Sequence, residues 1–212
     1  MQTTSFKNRK DAGEQLANEL QHFANEKNIM VVALPRGGVP IAFEVAKKLK
    51  CPLDVFLVRK IGAPKNEELA IGAVASGDVL LLNHELINYL NISKDDLQAA
   101  AQKARKELIF RNNLYRSNKP PIKFANSHII LIDDGMATGS TMKVAISALK
   151  NEGAKKITVA VPVSSTSALK EISALVPTIS LLTPQYFNCV GEWYNEFPQV
   201  SHDEVKKLLE QT

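Results

Sequence analysis

The sequence predicts an α/β fold: an open, mostly parallel, twisted sheet with flanking helices, plus a helical insertion and an aromatic C-terminal segment. Three observations predict it. Short apolar runs rich in β-branched residues alternate with amphipathic stretches along most of the 212 residues, as expected of strands buried on both faces between helices. A Pro35-Arg36-Gly37-Gly38 turn joins the first of these runs to the stretch after it. A later run ends in two adjacent carboxylates, Asp133 and Asp134, followed by small hydroxyl-bearing residues. Open α/β sheets place their ligand crevice at such strand ends.

The elements follow in order. Residues 11–27 read as a helix with Ala12, Leu16, Leu20 and Phe23 on one face. Residues 29–34 form a continuous apolar strand, and 39–50 a helix. Residues 53–58 read as a second strand, ending in Arg59-Lys60. Gly62, Pro64 and Asn66 make 61–68 a loop, and short strands at 69–75 and 79–82 flank a Ser76-Gly77-Asp78 turn. Residues 83–116 are long, polar and helical, with Ser93 as N-cap ahead of Lys94-Asp95-Asp96. Pro120 and Pro121 close this insertion, which spans about 83–120. Strands at 128–132, 157–161 and 178–182 then alternate with helices at 139–150 and 166–175. Residues 184–198 are irregular and aromatic-rich, and a short helix follows. The reading is one domain over 1–212.

Composition narrows the classes. With 45% hydrophobic and 23% charged residues the chain has material for a full core. A net charge of +4 suits an anionic small ligand as well as nucleic acid. Cys51 and Cys189 stand alone and the four histidines are scattered, which argues against a disulfide scaffold or a zinc site. The opening 14 residues are polar, without a signal-peptide core. No apolar run approaches the ~20 residues of a membrane span. The expectation is a soluble, cytoplasmic protein.

The chemistry is concentrated in residues 128–142. An apolar strand delivers Asp133 and Asp134, and the short piece Gly135-Met136-Ala137-Thr138-Gly139 runs into a helix beginning Ser140-Thr141. Backbone N–H groups at that helix start, with the Thr138, Ser140 and Thr141 hydroxyls, form a phosphate cradle. Gly139 lets the main chain come close to the anion. Acids beside such a cradle suit a sugar phosphate whose vicinal hydroxyls donate to Asp133 and Asp134. The Walker lysine and the GxGxxG fingerprint are both missing. Taken alone, an acidic pair after an apolar run reads equally as a polar strand end and helix cap.

The whole string, four apolar residues, two acids, a short variable piece and Thr-Gly-x-Thr, resembles the 5-phosphoribosyl-1-pyrophosphate (PRPP) motif of type I phosphoribosyltransferases. The resemblance runs from about residue 29 to 182 and looks closest to a bacterial group named only as predicted phosphoribosyltransferases. It implies that Asp133 and Asp134 act catalytically on the ribose. It also implies that Ala137, Thr138, Gly139, Ser140 and Thr141 bind the 5′-phosphate. Arg36, Gly37 and Gly38 fall where the family has its pyrophosphate loop, often with a cis non-proline peptide, here expected near Arg36-Gly37. Arg59 and Lys60 resemble the pair that contacts pyrophosphate in adenine- and orotate-type members. The loop at 61–68 corresponds to their mobile loop, with Lys65 as a candidate for stabilising the leaving pyrophosphate.

The family implies Mg²⁺ held mainly through PRPP and water, with no certain protein ligand, and commonly a homodimer. Ala137 departs from the hypoxanthine–guanine type, which has an acid there, and weakens a 6-oxopurine assignment. The tail faintly resembles the hood of those enzymes, over about 184–212, with Phe187 or Trp193 stacking on the acceptor or simply sealing the sheet edge. The insertion carries Lys103, Arg105, Lys106, Arg111, Arg116, Lys119 and Lys123. That run reads as a solvated face, with a nucleic-acid patch or a dimer contact as alternatives, and Tyr115-Arg116 could instead reach the crevice.

The function implied is transfer of 5-phosphoribosyl from PRPP to an unidentified nitrogenous acceptor, such as a nucleobase, within nucleoside metabolism. A PRPP-sensing regulatory protein that binds nucleic acid without turnover is the alternative. Hydrolysis of a phosphate ester is weaker, since nothing resembles a Ser–His–Asp arrangement.

Overall fold

The computed structural model describes residues 5–64, 66–116 and 123–212. Lys65 and residues 117–122 lie outside them, and with them the expectations for Lys65, Lys119, Pro120 and Pro121. The elements in chain order are α1 (Arg9–Glu19), β1 (Ile29–Ala33), α2 (Gly38–Leu49), β2 (Leu53–Val55), β3 (Val58–Ala63), β4 (Asn66–Ala75) and β5 (Val79–Leu82). They continue with α3 (His84–Tyr89), α4 (Lys94–Arg116), β6 (His128–Ile132), α5 (Ser140–Asn151), β7 (Lys156–Val163), α6 (Thr166–Ser173), β8 (Thr178–Leu182) and α7 (His202–Glu210).

Five strands form one parallel sheet in the order β2-β1-β6-β7-β8. Side chains alternate across it, as the strand period requires. Val31, Ala33, Ile130 and Ile132 pack against Leu16 of α1 and Ile41 and Val45 of α2. Their neighbours Val32, Ile129, Leu131 and Val159 pack on the opposite face against Met142 and Ile146 of α5. β1 and β6 are buried at every position, which explains why they read as unbroken apolar runs. The reversal of strand order between β1 and β6 opens a crevice at their carboxyl ends.

Three predicted boundaries move. The helix expected over 11–27 starts at Arg9, because Asn8 caps it by accepting from the Asp11 N–H at 3.0 Å. It gives way at Leu20 to a 3₁₀ turn, Leu20–Phe23. The strand expected over 53–58 divides between β2 and β3, which belong to different sheets. The loop expected over 61–68 is largely strand: β3, β4 and β5 make a separate antiparallel sheet. Its Gly62 and Pro64 suggest irregularity, and a register shift does fall at Gly62. Burial of Ile61, Ala63, Ile71 and Val74 against Ala101 and Ala104 of α4 nevertheless favours pairing, so packing overrides local propensity.

The insertion is anchored at both ends. Ser93 caps α4, accepting from the Asp96 N–H at 3.1 Å. At the other end Arg116 is buried: it donates to Asp54 Oδ2 at 2.7 Å and to the Val55 carbonyl at 3.1 Å. Tyr115 shares a 2.7 Å hydrogen bond with His202 of α7. The suggestion that Tyr115-Arg116 reaches the crevice is therefore corrected: a buried carboxylate on β2 claims the arginine.

Candidate functional site

The carboxyl edge of β6 carries the site. Asp133 Oδ1 accepts from the Asp134 N–H at 2.8 Å, which turns the two carboxylates side by side. Asp134 Oδ2 accepts from Arg9 Nε at 3.0 Å and Arg9 NH2 at 2.8 Å. Among the described residues, Asp133 Oδ2 and Asp134 Oδ1 accept no hydrogen bond, so each acid keeps one oxygen for something else. Both residues are partly exposed. Burial pushes the Asp133 carboxyl well above the usual range, and the neighbouring Asp134 charge adds to it. Asp134 is also raised by burial, against the opposing pull of the Arg9 guanidinium.

Two helix starts flank the acids. α5 begins after Gly139, at φ +69°, with no side chain capping it. The Thr138 and Ser140 hydroxyls lie 3.1 Å apart at its mouth, and Ala137, Thr138, Ser140 and Thr141 are exposed while Gly139 is buried. The N–H groups of the first turn therefore open towards solvent. α2 likewise begins without a side-chain cap, at Gly37. Its approach to the acids is close. A Cβ on Gly37 would lie 1.9 Å from Asp134 Oδ2, and one on Gly38 would lie 2.7 Å from the Ile132 carbonyl oxygen. Only residues without side chains fit there. Arg36 sits half-buried in the same turn. The cis peptide is Pro35-Arg36, one bond earlier than expected.

The structure thus brings Asp133, Asp134, Arg36, Gly37, Gly38 and the segment 137–141 together. It does not bring Arg59 to the acids: its guanidinium bonds Glu107 of α4 at 2.7 Å. Arg59 and Lys60 line a cleft of about 420 Å³ between the hairpin and α4, with Glu67 and Lys103 on its wall. Phe187 and Trp193 stack on each other, with ring centroids 6.5 Å apart and planes at 15°. Both pack onto an apolar cluster with Phe6, Val163 and Tyr194. Val190 beside them presses on Gly135, whose Cβ would lie 2.6 Å from a Val190 methyl.

Sequence reasoning misses three participants. Arg9 reaches the acids from 125 positions away, and a single arginine in a polar opening segment carries no local signal. Tyr194 donates to the Asp134 carbonyl at 2.6 Å, and burial, then the Asp134 charge, raises its phenol. Ser165 donates to the Ala137 carbonyl at 2.7 Å and so braces the phosphate-cradle segment. Its place just past β7 is a usable clue, since neighbouring strand ends line such crevices.

Fold and site define an open parallel-sheet α/β protein with its ligand crevice at the carboxyl edge. A family model, the phosphoribosyl transferase domain, matches residues 2–204. A Mycobacterium tuberculosis protein named provisionally as a phosphoribosyl transferase is 38% identical over 206 residues, 97% of this chain and 46% of the relative. The chain thus spans about half the length of the curated relatives it matches. Among solved structures, TT1426 from Thermus thermophilus is 38% identical, with a TM-score of 0.85 and 98% of both chains covered. A purine phosphoribosyltransferase from Pyrococcus horikoshii shares the fold at 18% identity, TM-score 0.50, over 92% of this chain and 96% of that one. This chain belongs to the phosphoribosyl transferase family, a family of pentosyltransferases. No helix among the described residues is long and apolar enough to cross a membrane.

Proposed function

We propose that the chain binds PRPP with Mg²⁺ and transfers its 5-phosphoribosyl group to a nitrogenous acceptor, releasing pyrophosphate. One observation carries the reading. Two adjacent acids, each with an oxygen that no described residue occupies, stand between two bare helix starts. The vicinal ribose hydroxyls donate to those oxygens, the α5 start takes the 5′-phosphate, and the Arg36-Gly37-Gly38 turn takes the pyrophosphate. The donor chemistry fits a hard cation: the acids offer oxygen only, and their mutual repulsion is what a divalent charge relieves. Mg²⁺, held mainly by PRPP and water, would supply charge neutralisation on the pyrophosphate.

The C1–O bond to pyrophosphate breaks and a C1–N bond forms, with positive charge developing on the ribose between. Ionised Asp133 and Asp134 stabilise that charge, and groups fixed before the reaction cost no reorganisation. Ala137 cannot move a proton, so the acceptor nitrogen must present its own lone pair. For the regulatory alternative no observation stands out, because Lys103 pairs with Glu67 and Arg116 with Asp54.

The test is calorimetry with PRPP and Mg²⁺, followed by pyrophosphate release across a panel of nucleobases and amines. Saturable uptake and release with at least one acceptor are expected, and Asp133→Asn should lower release by about 10²-fold or more. Absence of PRPP uptake, or full activity in Asp133→Asn, would overturn the proposal.

A further inference from the structure

We propose that Arg9 is a positioning residue that aims Asp134 at the ribose and keeps its carboxylate ionised. The inference rests on the PRPP reading above but concerns a residue which that reading does not use.

The side chain is built in on every side. Nε and NH2 both bond the same oxygen, Asp134 Oδ2, at 3.0 and 2.8 Å. NH1 donates to the Pro198 carbonyl at 2.6 Å. The guanidinium lies 3.7 Å above the Phe197 ring, and Arg9 is only 9% exposed. A cation that merely neutralised an acid could sit anywhere around it. This one grips a single oxygen from one side, which fixes the plane of the carboxylate and leaves Oδ1 unclaimed among the described residues. A planar, forked donor does this and a lysine does not.

The frame behind Arg9 is also rigid. Phe6 pairs with Tyr194 in a parallel bridge, donating to the Trp193 carbonyl and accepting from the Asn195 N–H at 2.8 Å each. Tyr194 in turn holds the Asp134 carbonyl at 2.6 Å. The segments around Phe6 and Tyr194 therefore lock over the acids and hold both the side chain and the main chain of Asp134.

The charged and titratable groups facing Asp134 are Arg9 from α1, Asp133 from its own strand end, and Tyr194 from the C-terminal segment. Burial and the second acid favour protonation, and a protonated Asp134 is a poorer acceptor for a ribose hydroxyl. Arg9 is the cation on the other side of that balance.

The experiment measures the Kd for PRPP with Mg²⁺ by calorimetry from about pH 5 to 9, in wild type, Arg9→Ala and Arg9→Lys. In wild type, affinity should rise with pH as the acids ionise and then level off. Arg9→Ala should bind about tenfold or more weakly at neutral pH, with the rising limb moved up by about one pH unit or more. Arg9→Lys restores charge without the fork, so it should recover most of the limb but not the affinity. If Arg9→Ala fails to fold, the lysine variant carries the test alone: a limb as in wild type with weaker binding supports the inference. Wild-type affinity in either variant, or tighter binding in Arg9→Ala, overturns it while leaving the PRPP reading in place. A wild-type protein that takes up no PRPP at any pH overturns both.

Discussion

Gly37→Ala is the sharpest probe of how the turn after β1 and the acids on β6 depend on each other. At φ −60° and ψ −33° the backbone of Gly37 is one that alanine adopts readily, so any penalty must come from contact. The added methyl would lie 1.9 Å from Asp134 Oδ2 and 2.5 Å from its Cγ. Restoring an ordinary contact of about 3.5 Å requires a retreat of roughly 1.5 Å. The carboxylate cannot swing away cheaply, because two Arg9 hydrogen bonds hold that same oxygen. Overpacking of this kind costs about 1–3 kcal/mol, which lowers the Tm of a chain this size by about 2–4 °C per kcal/mol. The effect on the ligand should be larger in proportion, since a misplacement of ~1 Å at a reacting centre costs about 10²-fold. Thermal unfolding and PRPP calorimetry on the same preparation read both numbers. An alanine variant with wild-type Tm and unchanged Kd would refute the packing argument, because the turn and the acids would then have to move independently.

Two further outcomes follow from the buried charges. Because the folded state raises the Asp133 and Asp134 carboxyls above their unfolded range, it retains protons that the unfolded chain has lost. Stability should therefore fall as pH rises above about 4 through the raised titration and flatten beyond it. Urea unfolding at a series of pH values checks this, and Asp133→Asn should shrink the slope. Arg116→Ala takes the guanidinium 2.7 Å away from Asp54, whose side chain is only 7% exposed, and should cost about 3–5 kcal/mol. Replacing both Arg116 and Asp54 with leucine should recover much of that loss in denaturant unfolding.

The legible parts of this protein are those whose cause is local. The β6–α5 stretch carries its strand, its acids, its Gly139 turn and its helix within residues 128–151, so a reading of adjacent residues finds all of them. The parallel strands and the helices between them follow from alternation. The β3–β4 hairpin escapes such a reading because its pairing depends on burial against α4, which a window around Gly62 and Pro64 does not contain. Arg59 shows the same limit in the site: its position along β3 is readable, but its partner Glu107 comes from α4. Arg9 is the extreme case. It is made relevant by Asp134 and by Pro198, 189 residues further on, and no periodicity or motif connects them.

That separation sets an order of events during synthesis. At about 5–20 residues per second, Arg9 joins the growing chain about ten to forty seconds before Pro198 does. The parallel sheet and its helices can assemble in that interval, but the bracket over the acids has only one half. Competence to grip a ligand is therefore conferred late, by the arrival of Tyr194, Phe197 and Pro198, on a scaffold that already stands.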